Sequence, residues 1–474
     1  MNSSAIRSTW SSRWAFILVT IGSSVGLGNI WKFPYMAGSQ GGSAFVLLYF
    51  LCVLLIGLPL LMAEILIGRR GKGNPVSAML NTAEETRSSP LWGLLGWAGV
   101  LGALLILSFY SVVAGWIMDY LYQALMGMRV DSATEAQARF AALLASPWRL
   151  GLWHTLFMVL VIGVIARGVV GGIEFANRIM MPGLFLILVA LTLWGAVAGD
   201  ISAAWHFLFD FRLEDITPSV VLAAMGHAFF SLSLGMGAIM AYGSYLDHES
   251  NIASTSAWVA AAGTLVGILA GLAIFSLTFQ HGLQPTEGAG LILMTLPLAF
   301  SHMPGGNFFA ILFFLLVLFA AWTSAISLLE PFVAWLTERL GIHRPAAAWG
   351  TGGAVWLLGI GVCLSFNVWA EYRLSWRSLD LNLFDGLDFL TSRLMMPLSG
   401  LAIAIYVGWV MGRGIVAEEI RLPPRLFALW FNILRYVVPV GIICVFCWYA
   451  LPPEFRPGVI RILLRPFDVL LHLF

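Results

Sequence analysis

Residues 22–29, near the start of the chain, have the composition of a binding site. They read G-S-S-V-G-L-G-N and lie between two apolar runs, 14–19 and 30–35. Glycine costs about 1 kcal/mol relative to alanine inside a helix, and in hydrocarbon every freed backbone group needs another partner. A broken helix here would offer carbonyls to a small cation and amides to a carboxylate. Close packing of two membrane helices on these small residues is the alternative.

A second stretch of the same kind, residues 231–237, lies midway along another apolar segment. Its S-L-S-L-G-M-G repeats the serine and the glycine–bulky–glycine step of S-V-G-L-G at residues 24–28. The two stretches lie about five spans apart, so the second would enter the membrane upside down. Paired glycine-interrupted segments point to a secondary transporter with its site at the midplane. The pairing therefore favours two broken helices over packing alone.

The elements that must position these stretches are membrane helices. The chain has 474 residues, of which 60% are hydrophobic and 10% charged, a composition typical of a polytopic helical membrane protein. The net charge of +1 gives no electrostatic case for nucleic acid. The four cysteines lie in apolar runs, and the C-x-x-C pair at Cys444 and Cys447 has no second pair or histidine. Small buried residues are therefore favoured over a zinc or redox site.

Eleven apolar segments are long enough to span the membrane. They lie near 14–37, 43–68, 91–125, 150–167, 176–198, 217–245, 256–279, 307–337, 348–366, 386–412 and 428–450. The polar residues 1–12 show no signal-peptide pattern. Residues 451–474 are interrupted by four prolines and by Arg461 and Arg465, which favours an amphipathic surface helix there.

The short loops that are rich in lysine and arginine fall on one side, which predicts a cytoplasmic N-terminus. These basic residues are Arg7, Arg13, Arg69, Arg70, Lys72, Arg87, Arg339, Arg344, Arg413, Arg421 and Arg425. Residues 280–306 contain no lysine or arginine, as an outer loop should, whereas three arginines in 127–149 weaken the pattern. We expect a multi-pass protein of the cell (inner) membrane with an extracytoplasmic tail.

Four motifs resemble the neurotransmitter:sodium symporters. They are R-x-x-W-x-x-R from Arg7, G-S-S-V-G-L-G-N-I-W-K-F-P-Y from Gly22, G-H-A-F-F-S-L-S-L-G-M-G from Gly226, and F-A-A-W-T-S-A-I-S-L-L-E-P from Phe319. The resemblance runs in register from about residue 7 to 450. It implies an all-α membrane fold of five plus five inverted helices, with helices one and six broken, and an eleventh span as in the bacterial branch.

The resemblance also implies the boundaries of the two repeats and of the segments around them. Residues 1–12 would form a cytoplasmic gate segment, 13–200 the first repeat and 215–412 the inverted repeat. The eleventh span would be 425–450 and the tail 451–474.

The resemblance implies one sodium site at which all of the family's ligand positions are retained. Its ligands would be carbonyls and two hydroxyls from Gly22, Val25, Ala320, Thr323 and Ser324. A hard cation takes several oxygen ligands. The alternative for a Thr-Ser pair in a membrane helix is back-bonding to its own turn, but its position opposite the first break favours the sodium site.

A second sodium site is incomplete. Its ligands would be the Ser24 carbonyl, the Asn29 side chain and Ser231, together with a side chain of span seven. Gly263 stands at that last position and has no side-chain oxygen. Either Thr264 or water substitutes, or this site is weak or absent.

The chloride-related position also departs from the family, leaving chloride dependence open. His227 replaces the family's glutamine, and Gly267 stands where chloride-independent members carry a carboxylate, whereas Tyr49 and Ser231 remain. His227 could be protonated and alter the charge balance. The alternative is a neutral histidine that is hydrogen-bonded inside the bundle.

The implied substrate pocket suits an amino acid. Amides near Leu27 and Gly28, with the Tyr110 hydroxyl, would hold its carboxylate. The other predicted lining residues are Ser23, Ser24, Ile106, Phe230, Ser231, Ser233, Met236, Ser324 and Leu328, with Phe230 as the lid. Monoamine carriers have an aspartate at the position of Gly26, so the resemblance favours a hydrophobic amino acid over a biogenic amine.

Two charge pairs would gate the pocket. On the outside Lys32 would pair with Asp388, more loosely than the family's usual arginine. On the inside Arg7 would pair with Glu338, supported by Trp10, Ser244 and Tyr245. Each charge could instead snorkel to water. Buried Glu64 would satisfy freed amides of span six.

We therefore expect a sodium-coupled symporter that imports an amino acid, with one complete sodium site. An alternative of the same fold would carry an amino acid or an amino-acid-like osmolyte with chloride- or proton-linked coupling, and a non-transporting sensor is disfavoured. An enzyme is disfavoured because no H-E-x-x-H motif is present. The gate pairs argue against a channel. The expected partners are a small-molecule substrate and the lipid bilayer, without nucleic acid, and the oligomeric state is left open.

Overall fold

Membrane-crossing helices make up most of the chain in a computed structural model that describes residues 10–282, 291–376 and 379–450. We number the crossing segments as spans 1 to 11. Nine of them, within the described residues, are single helices long and apolar enough to cross a bilayer. These are span 2 Ser43–Gly71, span 3 Pro90–Leu125, span 4 Pro147–Ala166, span 5 Val169–Ala198, span 7 Ile252–Gln280, span 8 Gly306–Leu340, span 9 Arg344–Leu364, span 10 Leu383–Val410 and span 11 Pro424–Phe446.

Span 1 is broken where its glycines and serines predict. Its halves, Arg13–Ser24 and Gly28–Ser39, are bent by 52° with respect to each other. Ser12 begins the first half by accepting a hydrogen bond from the Ala15 amide. At Val25, where this half ends, the backbone leaves the helical region with φ −84° and ψ 85°.

Span 6 is broken as well, into Pro218–Ser231 and Ala238–Gly243. Between them Ser233, Gly235 and Gly237 adopt φ values of 53°, 79° and 71°, a left-handed conformation that glycine adopts without strain. At Gly235 an added Cβ would also lie 2.7 Å from the Met396 carbonyl oxygen. Two glycines therefore permit this break, and both predicted breaks are confirmed.

Shorter elements connect the spans. The helices are Pro75–Glu85, Ala133–Ala145, Ile201–Phe209, Ile292–Ser301 and Arg413–Ile420, with short 3-10 turns at Pro90–Trp92 and Leu213–Asp215. Strands β1 Leu374–Trp376 and β2 Leu379–Leu381 pair antiparallel, with Leu374 opposite Leu381. The all-α expectation omits this small ribbon, which lies between spans 9 and 10.

The broken helices lie inside the bundle. Span 1 packs against spans 5, 7 and 8, and span 3 packs along span 8. Arg69, at the end of span 2, binds Glu419 at 2.5 Å and the Ser250 carbonyl at 2.5 Å. Arg69 thus ties together the loop after span 2, the loop after span 6 and the helix Arg413–Ile420 at one end of the bundle.

Some predictions lie outside the described residues, namely Arg7 in the N-terminal gate segment and the tail 451–474. The division into repeats at 13–200 and 215–412 stays a prediction.

Candidate substrate cavity and cation sites

Two backbone carbonyls of span 1 lose their helical partners at the first break. In an α-helix the amides of residues 26 and 27 would bond the carbonyls of Gly22 and Ser23. Here the Gly26 amide donates to the Ser24 carbonyl at 3.2 Å, and the Leu27 amide donates to the Tyr110 hydroxyl at 3.3 Å. The Gly22 and Ser23 carbonyls are therefore released to other partners.

Hydroxyl groups from spans 6 and 8 meet these released carbonyls. Ser324 Oγ lies 3.2 Å from the carbonyl oxygens of both Gly22 and Ser23. Ser233, in the second break, donates to the Ser23 carbonyl at 2.8 Å. The two broken helices and span 8 thus meet through a small set of oxygen atoms.

The oxygens of the first predicted sodium site cluster at this place. Ser324 contacts the Gly22 carbonyl, and a Cβ built on Gly22 would lie 3.2 Å from Thr323 Cβ. The Thr323 hydroxyl also bonds its own turn, at 3.0 Å to the Phe319 carbonyl and 3.2 Å to that of Ala320. A hydroxyl that donates its proton keeps its lone pairs for a cation, so back-bonding does not exclude a ligand role. Val25, the remaining predicted ligand, lies at the break itself.

A cavity with about 340 Å³ of empty space, part of it open to solvent, lies between the two breaks. It is lined by Ser23, Ser24, Gly26, Leu27, Gly28, Ile106, Tyr110, Phe230, Ser233, Met236, Ser324, Ser327 and Leu328. Every predicted lining residue except Ser231 is among them. Sequence reasoning missed Ser327, one helical turn after Ser324 on the same face of span 8.

Ser231 points away from this cavity. Its hydroxyl accepts a hydrogen bond from Tyr49 at 3.0 Å and donates to the Ala228 carbonyl at 3.2 Å. It therefore belongs to the cluster around Tyr49, and the expectation that it lines the substrate pocket is not supported.

The cavity has one polar end and one apolar end. Tyr110 and the backbone at Leu27 and Gly28 form the polar end, where the Tyr110 hydroxyl also contacts Ser324. An added Cβ at Gly26 would lie 2.4 Å from Ser324 Oγ and 3.1 Å from the Tyr110 hydroxyl. No side chain fits there without displacing both. The apolar end is formed by Ile106, Met236 and Leu328, all buried.

The second predicted cation position is arranged differently. The Asn29 amide nitrogen donates to the Gly263 backbone carbonyl at 2.9 Å. Asn29 Oδ1 and Ser24 Oγ are buried and have no hydrogen-bond partner in the part of the chain that the structure describes. Thr264 contacts Tyr49. The family's pattern places a side-chain oxygen of span 7 beside the ion. Here span 7 provides only the Gly263 backbone carbonyl, which accepts a hydrogen bond from the Asn29 amide nitrogen.

His227 lies in an aromatic enclosure. Its ring centroid is 5.2 Å from that of Tyr49, 5.8 Å from Phe45 and 5.9 Å from Phe33. Neither ring nitrogen has a hydrogen-bond partner among the described residues, so the expected hydrogen bond inside the bundle is absent there. The Phe33 ring fills the space beside Gly267, 3.2 Å from where a Cβ would lie.

The predicted outer pair is not in contact. Lys32 Nζ lies 4.2 Å from the centre of the Phe230 ring, a cation–π contact. Asp388 accepts a hydrogen bond from Ser392 at 2.8 Å, and the ion pairs of the described residues do not include Lys32 with Asp388. Lys32 is therefore held by the predicted lid residue.

The predicted inner gate contains residues that the sequence only partly anticipated. Trp10 Nε1 donates to the Tyr242 carbonyl at 3.2 Å. The Trp10 ring lies edge-on to the Tyr245 ring, with 5.7 Å between the ring centroids. The Tyr245 hydroxyl donates to Glu330 at 3.2 Å, and Glu330 forms a buried ion pair with Arg344. An acidic residue inside an apolar span was the signal that could have identified Glu330.

The other members of the predicted inner gate lie nearby on the same side. Glu338 accepts hydrogen bonds from the Asn74 amide at 2.7 Å and from its side chain at 2.8 Å. The Ser244 hydroxyl donates to the Ala241 carbonyl at 2.5 Å. With Arg7 outside the described residues, the Arg7–Glu338 pair stays a prediction.

Glu64 has the structural role predicted for it. Its fully buried carboxylate accepts a hydrogen bond from the Gly235 amide at 2.6 Å. This hydrogen bond satisfies an amide that the break frees from its helix, so Glu64 stabilises the second break.

The chain is similar to known proteins in family, sequence and structure. A profile described as "Sodium:neurotransmitter symporter family" matches residues 7–133 and 145–451. The "Uncharacterized sodium-dependent transporter YhdH" of Bacillus subtilis (strain 168) is 38% identical over 443 residues, covering 92% of this chain and 96% of the relative. An "Uncharacterized sodium-dependent transporter" of Haemophilus influenzae is 33% identical over 455 residues, covering 93% of this chain and 97% of the relative.

A solved structure is also similar. The crystal structure of MhsT in complex with L-phenylalanine superposes with a TM-score of 0.85 at 39% identity, covering 94% of this chain and 100% of that one. The predicted fold class is thereby confirmed: five plus five helices with the first and sixth broken, followed by an eleventh span.

Proposed function

The chain belongs to the sodium:neurotransmitter symporter family, and from that premise we propose that it imports a hydrophobic amino acid with sodium by alternating access. It is a sodium-dependent, multi-pass membrane transporter of a small-molecule substrate, and not an enzyme. The proposal concerns the substrate, the number of ions and the direction of transport.

The observation that carries the substrate proposal is the polarity of the cavity. A carboxylate at the polar end would meet the Tyr110 hydroxyl and the helix start at Gly28, where backbone amides favour negative charge. An apolar side chain would extend towards Ile106, Met236 and Leu328, and methionine adapts its shape to what it packs against. The L-phenylalanine bound in the similar MhsT structure supports this class of substrate.

For the cations we propose one tightly coupled sodium ion at Gly22, Val25, Ala320, Thr323 and Ser324. The second position, with Ser24, Asn29 and Ser231, would bind weakly or not at all because Gly263 supplies no side-chain oxygen there. Oxygen number and geometry decide how well a hard cation is held.

Proton-linked coupling at His227 is a second candidate. His227 is buried beside Tyr49 with both ring nitrogens unpartnered within the described ranges. A histidine can change its charge near neutral pH. In this alternative, a proton bound or released at His227 during the transport cycle would alter the charge balance beside Tyr49.

The proposed orientation places the N-terminus and the basic loops in the cytoplasm and the protein in the inner membrane. Arg69 and Arg70 of span 2 meet Glu418 and Glu419 of the helix Arg413–Ile420 at one end of the bundle. Basic residues concentrated at one end are typical of the cytoplasmic side.

Uptake into proteoliposomes tests the proposal. A panel of radiolabelled amino acids is offered under an inward sodium gradient, with choline replacing sodium as the control, and with chloride replaced by gluconate in a parallel series. We expect saturable uptake of a large apolar amino acid only with sodium, with a sodium Hill coefficient near one. Uptake that is indifferent to sodium would exclude the coupling, and a Hill coefficient near two would exclude the single-ion form.

A further inference from the structure

Asn177, in the first half of span 5, lies against the first break and has no role in the site described so far. We propose that its side-chain oxygen is an additional ligand of the sodium ion held at Gly22, Thr323 and Ser324. This inference rests on the proposed sodium coupling and adds a third element, span 5, to the cation site.

The orientation of the Asn177 amide is fixed by its own helix. Its nitrogen donates to the Ile173 carbonyl at 2.9 Å. A backbone carbonyl can only accept a hydrogen bond, so the nitrogen and not the oxygen must face Ile173. The oxygen is therefore directed to the other side of the amide, away from its own helical turn.

That oxygen reaches the backbone of span 1 at the start of the break. A Cβ built on Gly22 would lie 2.0 Å from Asn177 Oδ1 and 3.2 Å from Thr323 Cβ. The amide oxygen thus occupies the space that a side chain at position 22 would fill. The Asn177 oxygen and the Thr323 side chain therefore lie against the same side of Gly22.

The same oxygen is buried without a partner. Asn177 is 1% exposed, and its Oδ1 accepts no hydrogen bond from the residues that the structure describes. Buried polar atoms are nearly always satisfied, and an exception calls for a ligand or an ion. A cation held by the Gly22 carbonyl and the Thr323 hydroxyl would supply the missing partner, since amide oxygens are suitable ligands for hard cations.

Sodium-dependent thermal stability of the full-length protein in detergent tests this role without any substrate. The unfolding temperature is measured at increasing NaCl, with choline chloride keeping the ionic strength constant. The variants are Asn177→Leu, which removes the oxygen, and Asn177→Asp, which keeps it. Thr192→Val is the matched control, because Thr192 lies on the same helix and likewise bonds the carbonyl four residues earlier, that of Leu188, at 2.8 Å.

We expect the apparent sodium Kd to rise about tenfold or more in Asn177→Leu, and to stay at or below the wild-type value in Asn177→Asp and Thr192→Val. A lower unfolding temperature in choline with an unchanged sodium Kd would make Asn177 a packing residue and overturn the proposal. If Asn177→Leu does not fold, a tenfold rise in the apparent sodium Kd of Asn177→Asp overturns the proposal equally. Failure of sodium to stabilise the wild type would instead overturn the sodium coupling itself, and this inference with it.

Discussion

The two candidate cation positions lie within a few residues of each other along span 1, yet they face different neighbours. At the first, the Gly22 carbonyl released by the break contacts the Ser324 hydroxyl on span 8, and Thr323 of the same span packs beside Gly22. At the second, the Asn29 amide faces span 7, where Gly263 offers only a backbone carbonyl that the amide nitrogen already binds. Both positions have a broken helix, but only at the first does the facing unbroken span add side-chain oxygens.

The comparison separates what a broken helix supplies from what its neighbours must add. A break releases carbonyl oxygens, which are necessary for a cation site but are too few to complete its ligand shell. The hydroxyls that complete it come from another span, so one glycine on span 7 can weaken a site whose other residues are all retained. Four substitutions test this difference.

Thr323→Val should have the largest effect. It keeps the shape of the side chain and removes the hydroxyl, so we expect the sodium concentration for half-maximal uptake to rise about 10- to 100-fold. Sodium titration of uptake in proteoliposomes measures this. The matched control is Thr278→Val, because Thr278 on span 7 is buried and bonds the Ile274 carbonyl in the same way at 2.8 Å. Equal sodium requirements in the two variants would contradict the assignment of the first site.

Gly263→Ser should have the next largest effect, by adding the oxygen that span 7 lacks. Its Cβ would lie 3.3 Å from the Asn29 amide nitrogen, so the amide must move by a few tenths of an ångström. We expect the sodium Hill coefficient to rise from near one towards two. Ala261→Ser, on the exposed face of the same helix, is the control. A Hill coefficient already near two in the wild type would show that the second site needs no such side chain.

Asn29→Ala should change the sodium requirement less than Thr323→Val does. Its main cost is the lost hydrogen bond to the Gly263 carbonyl, worth about 1 kcal/mol of unfolding free energy. Thermal unfolding in choline and sodium titration of uptake measure the two effects separately. A loss of sodium affinity as large as that of Thr323→Val would make the two positions equal and remove the contrast between them.

Thr264→Val should have the smallest effect. The Thr264 side chain contacts Tyr49, and we expect no change in the sodium Hill coefficient or in the half-maximal sodium concentration. The same titration measures both. A lower Hill coefficient would identify Thr264 as the residue that substitutes for the missing ligand at Gly263.

Much of the fold is predictable from sequence because its signals are local. Long apolar runs mark the spans, and glycine with serine inside two of them marks the breaks, since backbone groups freed in hydrocarbon must be bound. The β1–β2 ribbon escapes prediction because its strands are only three residues long and lie in a loop. The substrate cavity is predictable nearly in full only through the family resemblance, which places residues of spans 3 and 8 beside the two breaks.

The remaining site residues depend on long-range packing. Asn177 is a single amide on a long helix, and its partner Gly22 lies far away along the chain, so no spacing connects them. The rotation of Ser231 towards Tyr49, and of Lys32 onto the Phe230 ring, is decided by neighbouring side chains in three dimensions. Residue type alone says which groups could take part, and only packing decides which of them face each other.

The Ser324 hydroxyl lines the cavity and also touches the Gly22 and Ser23 carbonyls. An amino acid at the polar end and a sodium ion at the break would thus share one side chain, so each would alter the affinity for the other. Thermodynamic linkage makes this reciprocal: if sodium tightens substrate binding by some factor, the substrate tightens sodium binding by the same factor. We therefore expect cooperative loading: carriers that hold only sodium or only the amino acid are scarce, and little sodium crosses the membrane without the amino acid.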